Sequence, residues 1–146
     1  MLTFDQYIEV AVEKKASDVH INAGYPVSMR IDGSVVPVDS EVLTAEQSHQ
    51  LAESVMSDVQ LQTLREKGEV DFAYSKPDLP RLRMNVYSQT NSIAICARLL
   101  NDTIPKLANL GLPEELLSVV EKRRGLVLVT GITGSGKSTT LASLIQ

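Results

Sequence analysis

Two periods of apolar and polar positions run through the first hundred residues. Phe4, Tyr7, Ile8 and Ala11 recur at helical spacing and predict a helix with one apolar face. Thr3 with Gln6, Thr44 with Gln47 and Ser57 with Gln60 each fit a capping box, a hydroxyl at the N-cap and Gln three residues on. The second helix so marked carries Leu51, Val55 and Met56. The third carries Leu61 and Leu64 and stops near Gly68. Elsewhere the period is two. Val19 and Ile21 alternate with Asp18, His20 and Asn22, and Val27, Met29 and Ile31 with Ser28, Arg30 and Asp32. Asp32-Gly33 suits a tight turn into Val35-Val36. Leu82, Met84 and Val86 then alternate with Arg81, Arg83, Asn85 and Tyr87, and a further strand from Ile93 to Leu100 carries Arg98. Such alternation means sheets with one buried and one wet face. Residues 1–100 are thus expected to form an α+β domain, an antiparallel sheet with helices packed against it.

The pattern changes near residue 101. Asn101-Asp102, Pro105, Gly111 and Pro113 punctuate a linker over 101–112. Pro113 is expected to open a helix through Leu116, Leu117 and Val120, with Lys122, Arg123 and Arg124 in its last turn and Gly125 ending it. The cations suit the negative helix end; contact with a ligand or partner is the alternative. Leu126 to Thr130 is a short run of apolar and β-branched residues, which predicts a buried parallel strand. Residues 137–146 contain no Gly or Pro and read as a helix. Residues 113–146 therefore read as a helix, a strand, a glycine-rich loop and a further helix.

The loop between that strand and helix carries the chemistry. Gly131-Ile132-Thr133-Gly134-Ser135-Gly136-Lys137-Ser138 fits the phosphate-binding pattern G-x-x-x-x-G-K-[ST]. Gly131, Gly134 and Gly136 allow backbone conformations closed to other residues. With Ile132, Thr133 and Ser135 they make a nest of inward N–H groups at a helix N-terminus. Lys137 is placed to reach the β- and γ-phosphates, Ser138 to join a Mg²⁺ shell and Thr139 to bond the α-phosphate. ATP and Mg²⁺ are the expected ligands.

Composition narrows the class. The formal net charge of −4 argues against nucleic acid as a partner. No apolar run is long enough to cross a membrane, and the N-terminus lacks a signal-peptide pattern. Cys96, the single cysteine, reads as a small strand residue. A cytoplasmic protein is expected. His20 and His49 read as surface residues.

Several segments in order carry a resemblance. They are Ala16-Ser17-Asp18-Val19-His20, Arg30-Ile31-Asp32-Gly33, Asp71-Phe72, Arg83-Met84-Asn85-Val86, Arg98 and the stretch from Arg124 to Gly131. Their order and spacing resemble the secretion-ATPase superfamily, and within it the type IV pilus retraction (twitching-motility, PilT-type) ATPases. The resemblance implies a PAS-like N-terminal domain over residues 1–100 and, over 113–146, the truncated start of a RecA-like P-loop α/β ATPase domain, both in a hexameric motor. That motor would work with the pilus machinery at the cytoplasmic face of the inner membrane. It also implies that Arg83 and Arg98, which match family arginines, reach the ATP phosphates. Ile132 stands where the family often has Pro, and Thr90-Asn91-Ser92 replaces a more Gly-rich turn. The acidic Walker B strand and catalytic Glu of the family do not occur within these 146 residues. A fragment of a motor, inactive by itself, is expected. The alternatives are a pilus-assembly or type II secretion ATPase, and a non-catalytic PAS-like interaction module.

Overall fold

The computed structural model describes residues 2–100, 104–132 and 135–145. The chain divides into two compact units, residues 1–101 and 102–146.

In the first unit the helices are α1 (Phe4–Glu13), α2 (Ala45–Glu53) and α3 (Asp58–Lys67). The strands are β1 (Asp18–Ile21), β2 (Pro26–Ile31), β3 (Ser34–Val42), β4 (Glu69–Tyr74), β5 (Leu82–Gln89) and β6 (Ser92–Leu99). They form one six-stranded sheet in the order β3-β2-β1-β6-β5-β4, antiparallel at every pairing. All three expected capping boxes are present, at Thr3, Thr44 and Ser57. Each satisfies backbone donors that a helix start otherwise leaves open. Gly68 closes α3 in the left-handed region at φ 80°.

One sheet face is covered. Helix α1 packs on β1, α2 on β6, and α3 on β4 and β5. Val19, Ile21, Val27, Met29, Leu82, Met84, Val86 and Ile95 point into that layer beside Phe4, Tyr7 and Ile8, all essentially without solvent contact. Helix α1 also ties both edges of the sheet. Tyr7 Oη donates to Asp39 Oδ2 on β3 at 3.1 Å. On the other side Tyr74 Oη of β4 donates to Asp5 Oδ1 at 2.7 Å, and Lys76 Nζ to Asp5 Oδ2 at 2.6 Å. Burial pushes the Asp5 carboxyl up, but the Lys76 and Tyr74 hydrogen bonds prevail and hold it below its usual value.

Three details differ from the pattern reading. Strand β4 is additional, with Val70, Phe72 and Tyr74 alternating directly after the α3 cap. Helix α2 ends at Glu53, so Val55 and Met56 are buried from the turn that follows. The β5–β6 turn keeps a tight two-residue geometry without glycine. Thr90 (φ 42°) and Asn91 (φ 63°) both take positive φ, between the paired residues Gln89 and Ser92.

The second unit begins with 3-10 turns at Leu107–Leu110 and Glu114–Leu116, then α4 (Leu117–Val120) and α5 (Lys137–Ile145). Two expectations are corrected here. The helix after Pro113 starts as a 3-10 turn and stops at Val120, so Lys122, Arg123 and Arg124 lie beyond it and are exposed. They do not fill a last turn, and Gly125 does not cap one. Second, Leu126 to Thr130 forms no strand. Leu126 and Leu128 are 81% and 73% exposed. A strand exists through its ladder bonds, and no other strand occurs among the described residues of this unit.

Candidate functional site

The sequence-predicted phosphate loop lies in the second unit. Thr133 and Gly134 fall outside the described residues; the rest of the loop is defined. Gly131 has φ 152°, and a Cβ there would meet Ser135 Oγ at 2.6 Å. That positive φ favours glycine, and a side chain there would have to displace Ser135 Oγ. Ser135 N donates to Ile132 O at 3.2 Å, which closes the turn. Gly136, at φ 87°, leads into α5, whose first turn is joined by the bond from Thr140 N to Gly136 O at 2.8 Å. Lys137 Nζ donates to Ile132 O at 2.6 Å. The ammonium is thus held over its own loop, beside a helix N-terminus, with donors left for an anion. Ser138 and Thr139 are exposed in the first turn of α5, and Ile132 points to solvent.

The two predicted arginines lie in the first unit, on the sheet face opposite α1, α2 and α3. Strand register sets the arrangement. Arg30, Asp18, Arg98 and Arg83 stand directly opposite one another across β2, β1, β6 and β5. The next row along the same face is Ser28, His20, Cys96, Asn85 and Asp71. Arg98 Nε donates to Asp18 Oδ1 at 2.8 Å. Asp18 Oδ2 accepts from Ser17 Oγ at 2.7 Å and lies 3.5 Å from Arg30 Nε. Arg83 Nε is 3.5 Å from Asp71 Oδ1, while Asn85 Nδ2 donates to Asp71 Oδ2 at 3.3 Å. A cavity of about 270 Å³ opens here, lined by Asp71, Arg83, Asn85, Cys96 and Arg98.

Charge states follow from these contacts. Asp18 is buried, which pushes its carboxyl up, yet the Arg98 and Ser17 bonds outweigh burial and keep it below its usual value. The same bond to Asp18 holds the Arg98 guanidinium more firmly protonated. Burial lowers His20 and raises the Cys96 thiol, so at neutral pH both stay uncharged. His20 Nε2 is enclosed without a hydrogen-bond partner among the described residues. His49, by contrast, is an exposed residue 3.3 Å from Glu53 one helical turn on. The resemblance singled out Arg83 and Arg98 but not Asp18 and Asp71 as their partners. The signal was only that Asp18 and Asp71 sit within the resembling segments; which strands adjoin is not written in any one of them.

The sequence matches the family described as Type II/IV secretion system protein over residues 1–146. The chain belongs to that family. Among curated relatives it is 38% identical over 144 residues to the type IV pilus ATPase PilU of Pseudomonas aeruginosa, covering 99% of this chain and 38% of that protein. It is 36% identical over 141 residues to the type IV pilus retraction ATPase PilT of the same organism, covering 97% of this chain and 41% of that one. The crystal structure of the pilus retraction motor PilT with bound ADP superposes with a TM-score of 0.88 at 41% identity, covering 99% of this chain and 43% of that one. The chain thus spans about two fifths of the length of the relatives it matches.

Proposed function

We propose that this chain supplies the N-terminal domain and phosphate loop of an ATP-hydrolysing motor that drives type IV pilus retraction, working as a hexamer. The observation that carries the reading is the phosphate loop itself, inside a whole-chain likeness to a retraction motor that binds ADP. Gly131 takes a positive φ that favours glycine, and Lys137 is held over the loop by Ile132 O beside a helix start, which suits a phosphate cradle. Loop amides from Gly131 to Gly136 would hold the β-phosphate, with Lys137 neutralising charge on the transferred phosphoryl group. Thr139 would bond the α-phosphate. Ser138 would be this chain's ligand to Mg²⁺, which supplies further charge neutralisation when bound. Arg83 and Arg98 would add cations from the first unit, whose antiparallel sheet with helices on one face supports a PAS-like description. No helix among the described residues is long and apolar enough to cross a membrane. A peripheral place at the cytoplasmic face of the inner membrane, beside the pilus machinery, completes the proposal.

Residues 138–146 contain no Asp or Glu. These 146 residues alone should therefore bind phosphate without turning ATP over, because transfer also needs a metal-holding carboxylate and a base. Calorimetric titration with Mg-ATP, beside a phosphate-release assay, tests the reading. Binding that Lys137→Ala weakens at least tenfold, with release equal to a protein-free control, is the expected result. ATP binding indifferent to Lys137→Ala would overturn the loop assignment. Steady turnover that the same substitution abolishes would overturn the predicted inactivity.

A further inference from the structure

We infer that Asp18 and Asp71 are positioning residues, each holding an arginine by its Nε so that the terminal guanidinium nitrogens face a polyphosphate. The inference rests on the reading that Arg83 and Arg98 meet nucleotide phosphate.

The geometry repeats itself in two places. On β1, Ser17 Oγ braces Asp18 Oδ2, and Asp18 Oδ1 receives Arg98 Nε. On β4, Asn85 Nδ2 braces Asp71 Oδ2, and Asp71 Oδ1 faces Arg83 Nε. In both a neutral donor fixes one carboxylate oxygen while the other meets the arginine at Nε, away from the tip. Among the described residues neither arginine has another hydrogen-bond or ion-pair partner. Their terminal nitrogens, a planar fork suited to phosphate oxygens, remain open. The side chains are 63% and 68% exposed, so the forks reach solvent while their stems are held.

Arg30 shows the contrast. Its Nη1 donates to Gly33 O at 2.9 Å, and its Nε lies near Asp18 Oδ2. One nitrogen of its tip is tied to the turn, so Arg30 is the less available of the three and serves first as counter-charge to the buried Asp18. That second cation also explains how Asp18 can hold Arg98 without cancelling it. Three guanidiniums against two carboxylates leave these two adjoining rows net positive.

The two aspartates make a prediction of unusual sign. A carboxylate beside an anion site repels the anion, so its removal should tighten binding. A positioning carboxylate should do the opposite, because a freed arginine must lose side-chain entropy on binding.

The test uses the whole 146-residue chain with inorganic triphosphate as probe, followed by calorimetry and by the NMR signals of the arginine Nε–H groups. In the unsubstituted chain, Arg83 and Arg98 signals should shift with triphosphate. Asp18→Asn should weaken binding about tenfold, roughly one charge-assisted hydrogen bond, and Asp71→Asn about threefold, since its ion pair with Arg83 is longer. Each should also speed hydrogen exchange at the Nε–H of its own arginine. Adding Asp71→Asn to Arg83→Ala should cost nothing further, since the aspartate acts through that arginine. Asp71 is half-exposed, so Asp71→Asn keeps the test sound should Asp18→Asn fail to fold. If triphosphate leaves both arginines unshifted, the phosphate reading of the arginines fails and this inference with it. If Arg83→Ala weakens binding while Asp71→Asn leaves it equal or tighter, that reading stands and the positioning role is wrong.

Discussion

Two apolar segments of similar composition meet opposite fates in this molecule. Ile93-Ala94-Ile95-Cys96-Ala97 lies in β6, with β1 on one side and β5 on the other, and Ile95 is 1% exposed. Leu126-Val127-Leu128-Val129 has no pairing partner among the described residues of its unit, and Leu128 stays in solvent. Local preference for extended backbone is present in both. What differs is the supply of neighbours: each ladder bond and each square ångström of covered side chain comes from another strand or helix. Hydrophobic pattern states a demand, and the rest of the fold decides whether it is met.

The strongest way to break this contrast is to separate the two units. Residues 1–101 should unfold cooperatively by circular dichroism, with a midpoint close to that of the whole chain, because their core is closed. Residues 102–146 alone should show no such transition. Light scattering should find residues 1–101 monomeric and the whole chain self-associated through its exposed 126–132 segment. A monomeric whole chain at high micromolar concentration would show that the segment finds cover without a second copy.

Paired substitutions sharpen the same point. Ile95→Ala should cost about 2–5 kcal/mol in urea unfolding, as buried aliphatic truncations do. Leu128→Ala should change stability by less than about 0.5 kcal/mol, since it removes no packed contacts. Equal costs would mean that Leu128 is buried in solution.

Acid should act first on the well-formed unit. The Asp18 carboxyl lies below its ordinary value of 3.8 when folded. A depressed carboxyl stabilises the fold above the unfolded value, and that contribution disappears as pH falls through the folded value. Unfolding followed from neutral pH down to that range should steepen below pH 3.8. Asp18→Asn should flatten this limb. An unchanged limb would assign the acid response elsewhere, with Asp5 the next carboxylate to replace.

The smallest expected effect is at the β5–β6 turn. Thr90 is β-branched yet sits at φ 42°. Such strain costs on the order of 1 kcal/mol, so Thr90→Gly or Thr90→Asn should raise stability by up to about that amount. A loss instead would mean that Thr90 makes contacts in solution that offset its backbone.

Much of the first unit was legible beforehand. Three hydroxyl–Gln pairs marked the helix starts, and Gly68 marked one end, since capping is a local matter of four or five residues. Alternation located three strands, the Asp32-Gly33 turn a fourth, and the run from Ile93 to Leu100 a fifth. Strand β4 alternates too, but it follows Gly68 without a spacer, so the end of the helix masked its start. Pro113 pointed to a helix start, though the length and type of that helix depended on what it packs against, and it proved to be a 3-10 turn with a short α-turn.

For the candidate site the division is similar. By itself the sequence determined the phosphate loop, because glycines, lysine and serine at fixed spacing carry their chemistry within eight residues. It also determined the family, the capped helices and the wet and dry faces of the strands. Tertiary structure alone decided that Arg30, Asp18, Arg98 and Arg83 form one row, although they lie on four strands up to 80 residues apart in the chain. It alone decided that Asp18 bonds Arg98 at Nε and that Asp71 lies 3.5 Å from Arg83 Nε, and that Leu126 to Val129 is no strand. Caps and phosphate nests form from neighbours in sequence; strand pairing and ion-pair partners come from residues that meet only when the chain folds.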